Sequence, residues 1–101
     1  MPKLYVYLGV VIFFYSNEHE PIHVHGSYQG QESKAEFILK EGQIVEIRLT
    51  TVKHAPPLSG KQEKLFLEIV EKYAEDIVDK WIKFFVYNEK ISSQTITRRL
   101  K

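Results

Sequence analysis

Three of the four histidines in this chain fall within seven positions, in the stretch NEHEPIHVHG at residues 17–26. They are His19, His23 and His25, and the His-x-His pair lies between a proline and a glycine. Near neutral pH an imidazole binds a divalent metal, transfers a proton or pairs with a carboxylate. The stretch is therefore the first candidate for a chemically active site in this sequence.

Composition limits what that chemistry is. The chain has 101 residues, 44% of them hydrophobic and 27% charged, which is typical of a single globular domain over residues 1–101. The net charge of +1 provides no overall field that attracts nucleic acid or an anionic membrane. The absence of cysteine excludes disulfides, thiolate metal sites and a cysteine nucleophile. The apolar run at residues 4–15 is too short to span a bilayer and has no cleavage-site pattern, so we expect a cytoplasmic protein.

The first half of the chain predicts strands and the second half predicts helix. Residues 4–15, 22–28, 33–40 and 43–50 are β-branched, aromatic or alternating, and glycine-containing turns join the last three of these segments. They predict an antiparallel meander of four to five strands. From Ser59 to Phe85 apolar residues recur at helical spacing, with a break expected near residues 73–76. The predicted class is α+β in two layers, in which this C-terminal amphipathic segment covers one face of the sheet. The basic tail, residues 89–101, is predicted to be a loose end or a late strand.

Turn positions place two histidines on one face of the predicted sheet. A turn centred on Gln29-Gly30 pairs His23 with Glu36 and His25 with Lys34. A three-residue loop at 40–42 then puts Glu46 and Arg48 on that polar face, and it leaves open which of the two lies opposite Glu36. The other face, which we expect to form the core, carries Ile22, Val24, Ala35, Phe37, Val45, Ile47 and Leu49.

Three interpretations of the histidines remain open. In the first, they belong to the solvated face of the sheet, and His23 and Glu36 form an ordinary cross-strand pair. In the second, His19, His23 and His25 bind a divalent metal such as Zn²⁺, because His-x-His on a strand points both imidazoles to one side.

The third interpretation is acid–base catalysis. His23 or His25 would be the base, Glu36 would orient it, and Arg48 or Lys34 would bind an anion, which suits metal-independent cleavage of RNA. His54, in the proline-rich segment at residues 54–60, is interpreted as incidental rather than catalytic.

The string FFYSNEHEPIHVHGSYQGQESKAEF resembles the bacterial family called domain of unknown function 4160. The shared pattern is an aromatic strand, an acidic-His turn, Pro-x-His-x-His, a glycine-containing hairpin and a small-acidic pair. A helical segment with a tryptophan follows, here VEKYAEDIVDKWIKFF, so the resemblance spans about residues 8–86. Ile22 replaces the usual second proline, and the tail after Asn88 lies beyond the usual domain end.

That resemblance implies a protein partner. Members of the family are often encoded beside another small domain family, in the manner of toxin–antitoxin pairs. The positions that match the family motif are His19, His23, His25 and Glu36. The leading hypothesis is thus one component of a two-gene pair that acts through its His/Glu-rich sheet face. A ribonuclease-like enzyme, a metal-binding module and a purely structural or interaction domain are the alternatives.

Overall fold

A computed structural model describes residues 2–17 and 21–100 of the chain. It confirms the predicted α+β class, with six strands in the sheet rather than four to five. In chain order the elements are β1 (Lys3–Tyr7), β2 (Val10–Phe13), β3 (His23–Tyr28), β4 (Gln31–Lys40), β5 (Gln43–Thr51), α1 (Gly60–Lys72), α2 (Ala74–Phe85) and β6 (Gln94–Ile96).

The sheet has the strand order β5-β4-β3-β2-β1-β6. The first five strands form the predicted antiparallel meander, and β6 pairs in parallel with β1. Both residues of each connecting turn have positive φ, at Leu8-Gly9, Gln29-Gly30 and Glu41-Gly42. Two-residue turns of this kind match the twist of the strands that they join.

The β4–β5 hairpin corrects two details of the sequence prediction. Lys40 pairs with Gln43, so the loop has two residues and the predicted three-residue loop at 40–42 is wrong. A bulge between Ile38 and Leu39 then leaves Val45 as the extra residue of β5, and its side chain is 58% exposed rather than in the core. Beyond the bulge the side chains alternate between the two faces as predicted, and Ile47 packs against the core.

The helical segment breaks where its length predicted. α1 ends at Lys72 and α2 begins at Ala74, with Tyr73 between them at φ −110° and ψ 23°. The buried residues of α1 and α2 lie against one face of the sheet. In this packing the fully buried ring of Phe66 in α1 lies close to the backbone of Gly26 in β3. No helix in the described ranges combines the length and apolarity needed to cross a membrane.

The tail after Asn88 forms strand β6 and then docks on α1. Arg99 donates to Glu68 through Nε (2.7 Å to Oε1) and through Nη2, and the hydroxyl of Tyr7 donates to the same carboxylate at 2.8 Å. The backbone N–H of Leu100 in turn donates to the Tyr7 hydroxyl at 2.8 Å. The hydrogen bonds from Arg99 and Tyr7 hold the pKa of Glu68 at about 2, well below its ordinary value of 4.5.

Candidate functional site

The histidines of β3 have the predicted register but not the predicted exposure. His23 lies opposite Glu36 and His25 opposite Lys34, on the sheet face away from the helices. His25 is only 1% exposed, and His23 is also buried. The interpretation of these two side chains as part of a solvated face is therefore wrong.

Aromatic rings enclose His25. Phe13, its neighbour on β2, stacks on the imidazole at a centroid distance of 5.5 Å. Tyr15 meets the same ring edge-on at 4.5 Å, and His23 does so at 5.1 Å. Phe13, Tyr15 and His23 together restrict the orientation of the His25 ring.

Glu32 is the carboxylate that contacts His25. Its Oε2 lies 3.0 Å from Nδ1 of His25, and its Oε1 lies 3.1 Å from Nε2 of His54. The hydroxyl of Tyr15 donates to this carboxylate, with distances of 3.1 Å to Oε1 and 3.0 Å to Oε2. We call Tyr15, His25, Glu32 and His54 the Glu32 cluster. It collects two imidazoles and a phenol around one carboxylate that is itself buried.

Strand alternation and the proline-rich segment bring the Glu32 cluster together. Glu32 precedes Lys34 by two positions on β4, so both side chains lie on the same face as His25. Two hydrogen bonds attach the segment that follows β5 to β4. The N–H of Glu32 donates to the carbonyl of Pro56 at 2.8 Å, and the N–H of Leu58 donates to the side-chain Oγ of Ser33 at 3.0 Å. These bonds carry His54 to the exposed side of Glu32.

Polar contacts reduce the free-energy cost of burying the Glu32 carboxylate. An ionised carboxylate away from water is costly unless donors surround it. The Glu32 side chain is 10% exposed, while that of His54 is 58% exposed, so water reaches the cluster on the His54 side. An ionised Glu32 requires the proton of His54 on Nε2, and Nδ1 is then the basic nitrogen of the neutral ring. The arrangement therefore presents an oriented imidazole to solvent.

The remaining residues predicted for the site lie along the same face. His23, Glu36 and Arg48 are aligned across β3, β4 and β5, because Glu36 pairs with both of the others. Glu36 contacts Lys34, with Oε2 3.5 Å from Nζ, and Arg48 contacts Glu46 at 3.2 Å. Nδ1 of His23 lies 2.6 Å from the carbonyl oxygen of Pro21.

Metal binding has less structural support. The predicted set needs His19, which lies outside the described residues, together with His23 and His25. Across residues 2–17 and 21–100, no group of three or more histidines and carboxylates is arranged to hold a metal ion. The Glu32 cluster is thus better described as two imidazoles and a phenol in contact with one carboxylate than as a ligand set.

Sequence reasoning missed three members of the Glu32 cluster. Glu32 follows the Gln29-Gly30 turn closely, and strand alternation alone places it on the face of His25. Tyr15 and His54 come from irregular segments, whose paths no periodicity specifies. His54 was interpreted as incidental; the structure places it beside Glu32, because the segment after β5 is hydrogen-bonded to β4 at Glu32 and Ser33.

A comparison with known families identifies the family of this chain. The family model described as Domain of unknown function (DUF4160) matches residues 9–82, which is most of the chain. This range includes every member of the Glu32 cluster. Comparison with curated proteins and with solved structures gave no match.

Proposed function

The chain belongs to the DUF4160 family, and from that premise we propose that it is a metal-independent, ribonuclease-like enzyme in which His54 transfers the proton. Glu32 and His25 are positioning residues in this proposal. The observation that carries it is the convergence of two imidazoles and a phenol on one buried carboxylate, with one imidazole exposed to solvent. A buried acid that orients an exposed imidazole is an arrangement that suits general-base catalysis.

RNA suits such a site because it carries its own nucleophile. Nδ1 of His54 takes the proton of a ribose 2′-hydroxyl, and O2′ attacks the adjacent phosphorus. The bond from phosphorus to O5′ breaks, and the leaving O5′ takes a proton from water or from the imidazolium just formed. The products are a 2′,3′-cyclic phosphate and a 5′-hydroxyl. The protein supplies a base and local positive charge, and no metal is needed.

Positive charge for the phosphate is available next to the cluster. Lys34 lies two positions from Glu32 on the same strand and face, and its side chain is partly exposed. Lys53 directly precedes His54 and is exposed. A strand of RNA on this face would meet Lys34 on the same face as the cluster, and Lys53 adjoins the exposed imidazole in the chain.

The proposal includes a protein partner, as expected for one component of a two-gene pair. A partner that covers His54 would exclude the substrate and inhibit the enzyme without altering the Glu32 cluster. Co-expression with the product of the neighbouring gene should then give a complex that does not cleave RNA, and removal of the partner should restore cleavage. Failure of the two proteins to co-purify would remove this part of the proposal.

The test of the enzymatic proposal is cleavage of a short RNA in the presence of a chelator. We expect a cyclic phosphate product from RNA and no cleavage of the same sequence with 2′-deoxyribose, which lacks the nucleophile. His54→Ala should lower the rate by about 10²–10⁴-fold and leave the far-UV circular dichroism unchanged, because the side chain is largely exposed.

Lys61→Ala is the control, since Lys61 is exposed on α1 and outside the cluster. It should cleave at the wild-type rate. An inactive wild-type protein, or a His54→Ala variant as active as the wild type, would refute the enzymatic proposal.

A further inference from the structure

β5 is the end strand of the sheet, so its outer edge pairs with no other strand in the described part of the chain. It is nine residues long, whereas β6 at the opposite edge has three. Long edge strands are templates for pairing, and proteins commonly block them with lysine or proline. β5 has the sequence QIVEIRLTT, which contains neither. The bulge at Val45 interrupts the strand once, and residues 46–51 beyond it pair with β4 without a break.

The direction of the backbone groups on β5 follows from the hydrogen bonds of β4. The N–H of Phe37 donates to the carbonyl of Ile22, so the polar backbone groups of Phe37 point toward β3. Phe37 and Ile47 are therefore a non-hydrogen-bonded pair, and the N–H and C=O of Ile47 point outward from the sheet. The same alternation points those of Leu49 outward.

The two residues on either side of Ile47 carry opposite charges, so they can pair with the same two residues of a second β5 strand. Glu46 and Arg48 lie on the same face of β5, and Arg48 already contacts Glu46 within the strand. In an antiparallel pair of two β5 strands centred on Ile47, Glu46 of each copy lies directly opposite Arg48 of the other. Such a two-fold contact brings the same patch of both copies together and forms each charge pair twice.

We propose that this protein forms a two-fold dimer by antiparallel pairing of β5 with β5 of a second copy. Ile47 N–H of each copy donates to the Ile47 carbonyl of the other, and the two sheets become one. We assign the pairing strand to a second copy because the charges of Glu46 and Arg48 are complementary to themselves about Ile47. Pairing with an unrelated protein would not require this symmetry. In this dimer both Glu32 clusters lie on the same face of the continuous sheet.

The test is the molar mass in solution, measured by light scattering after size-exclusion chromatography over a series of concentrations. The wild type should reach the mass of a dimer. Arg48→Glu places like charges opposite each other twice and should raise the dissociation constant by at least about tenfold. The charge-swapped variant with both Glu46→Arg and Arg48→Glu restores complementarity and should dimerise again.

Two further measurements make the result specific to β5. Far-UV circular dichroism should show the same fold in all three proteins, because exposed ion pairs contribute little to stability. Amide exchange at Ile47 and Leu49 should slow as the wild-type concentration rises. A wild type that stays monomeric, a dimer that Arg48→Glu does not weaken, a swapped variant that stays dissociated, or unprotected Ile47 and Leu49 amides in a dimer would each overturn the proposal.

Discussion

Gly26→Ala should destabilise the fold by overpacking the contact between β3 and α1. A Cβ atom added to Gly26 would lie 2.6 Å from Cε1 and 3.0 Å from Cγ of Phe66, and closer still to Cδ1. Phe66 is fully buried, and Gly26 is paired on both sides, with Ile12 and Ser33, so neither element has room to retreat. The ring or the helix must shift.

The expected net cost is about 1.3 kcal/mol. Overpacking a close-packed core costs roughly 1–3 kcal/mol, and the lower chain entropy of alanine in the unfolded state offsets roughly 0.4–1 kcal/mol of it. Urea unfolding followed by the fluorescence of Trp81, the only tryptophan in the sequence, gives this free energy directly. Thermal unfolding should show a midpoint about 5–10 °C lower.

A double-mutant cycle isolates the contact. Phe66→Leu removes the ring atoms that the new methyl group meets, so Gly26→Ala should cost less in the Phe66→Leu background, with a coupling energy of about 0.5–3 kcal/mol. If Gly26→Ala is as stable as the wild type, or if the two substitutions are additive, the close approach of β3 to α1 is wrong. The position of His25, which adjoins Gly26, would then also be in doubt.

Two other predictions concern the tail and the bulge. Because the pKa of Glu68 is held at about 2 in the folded state and is ordinarily 4.5, the stability from its pair with Arg99 is present above about pH 4.5 and lost as the pH falls toward 2. Arg99→Gln should therefore flatten the pH dependence of urea unfolding in that window, and a slope as steep as the wild type's would contradict the docking of the tail. Val45→Thr should change the free energy of unfolding by no more than about 0.5 kcal/mol, because the side chain is exposed in the bulge. The control is Phe37→Ala, which removes a buried side chain and should cost about 3–5 kcal/mol. A large loss in Val45→Thr, measured in the same urea assay, would place Val45 in the core after all.

The sequence predicted those parts of the structure that depend on periodicity and turns. The Gln29-Gly30 turn was sufficient to give the register of His23 and His25, because a two-residue hairpin leaves no freedom in pairing. The break near Tyr73 followed from helix length alone. In both cases local geometry determines the outcome.

The parts that were missed depend on tertiary packing. A bulge absorbs one residue without any marked signal in the sequence, so Val45 was assigned to the wrong side of β5. The burial of His25 depends on Tyr15, which lies after the end of β2, and His54 is placed by backbone bonds from a segment with no regular structure. Glu36 was predicted to act with the histidines because it lies opposite His23, but the acid that contacts His25 is Glu32.

The choice between Glu32 and Glu36 is also the most direct test of the central claim, that the Glu32 cluster orients a catalytic imidazole. Both carboxylates lie on the same face of β4, and only Glu32 contacts His54. The measurement is the rate of RNA cleavage, in a chelator, by Glu32→Gln and Glu36→Gln, with folding of both variants checked by circular dichroism.

We expect Glu32→Gln to lose at least about 10²-fold in rate, because a neutral amide does not stabilise the imidazolium that forms when His54 takes the proton. Glu36→Gln should retain the wild-type rate. Equal rates in two folded variants, or a loss confined to Glu36→Gln, would contradict the account.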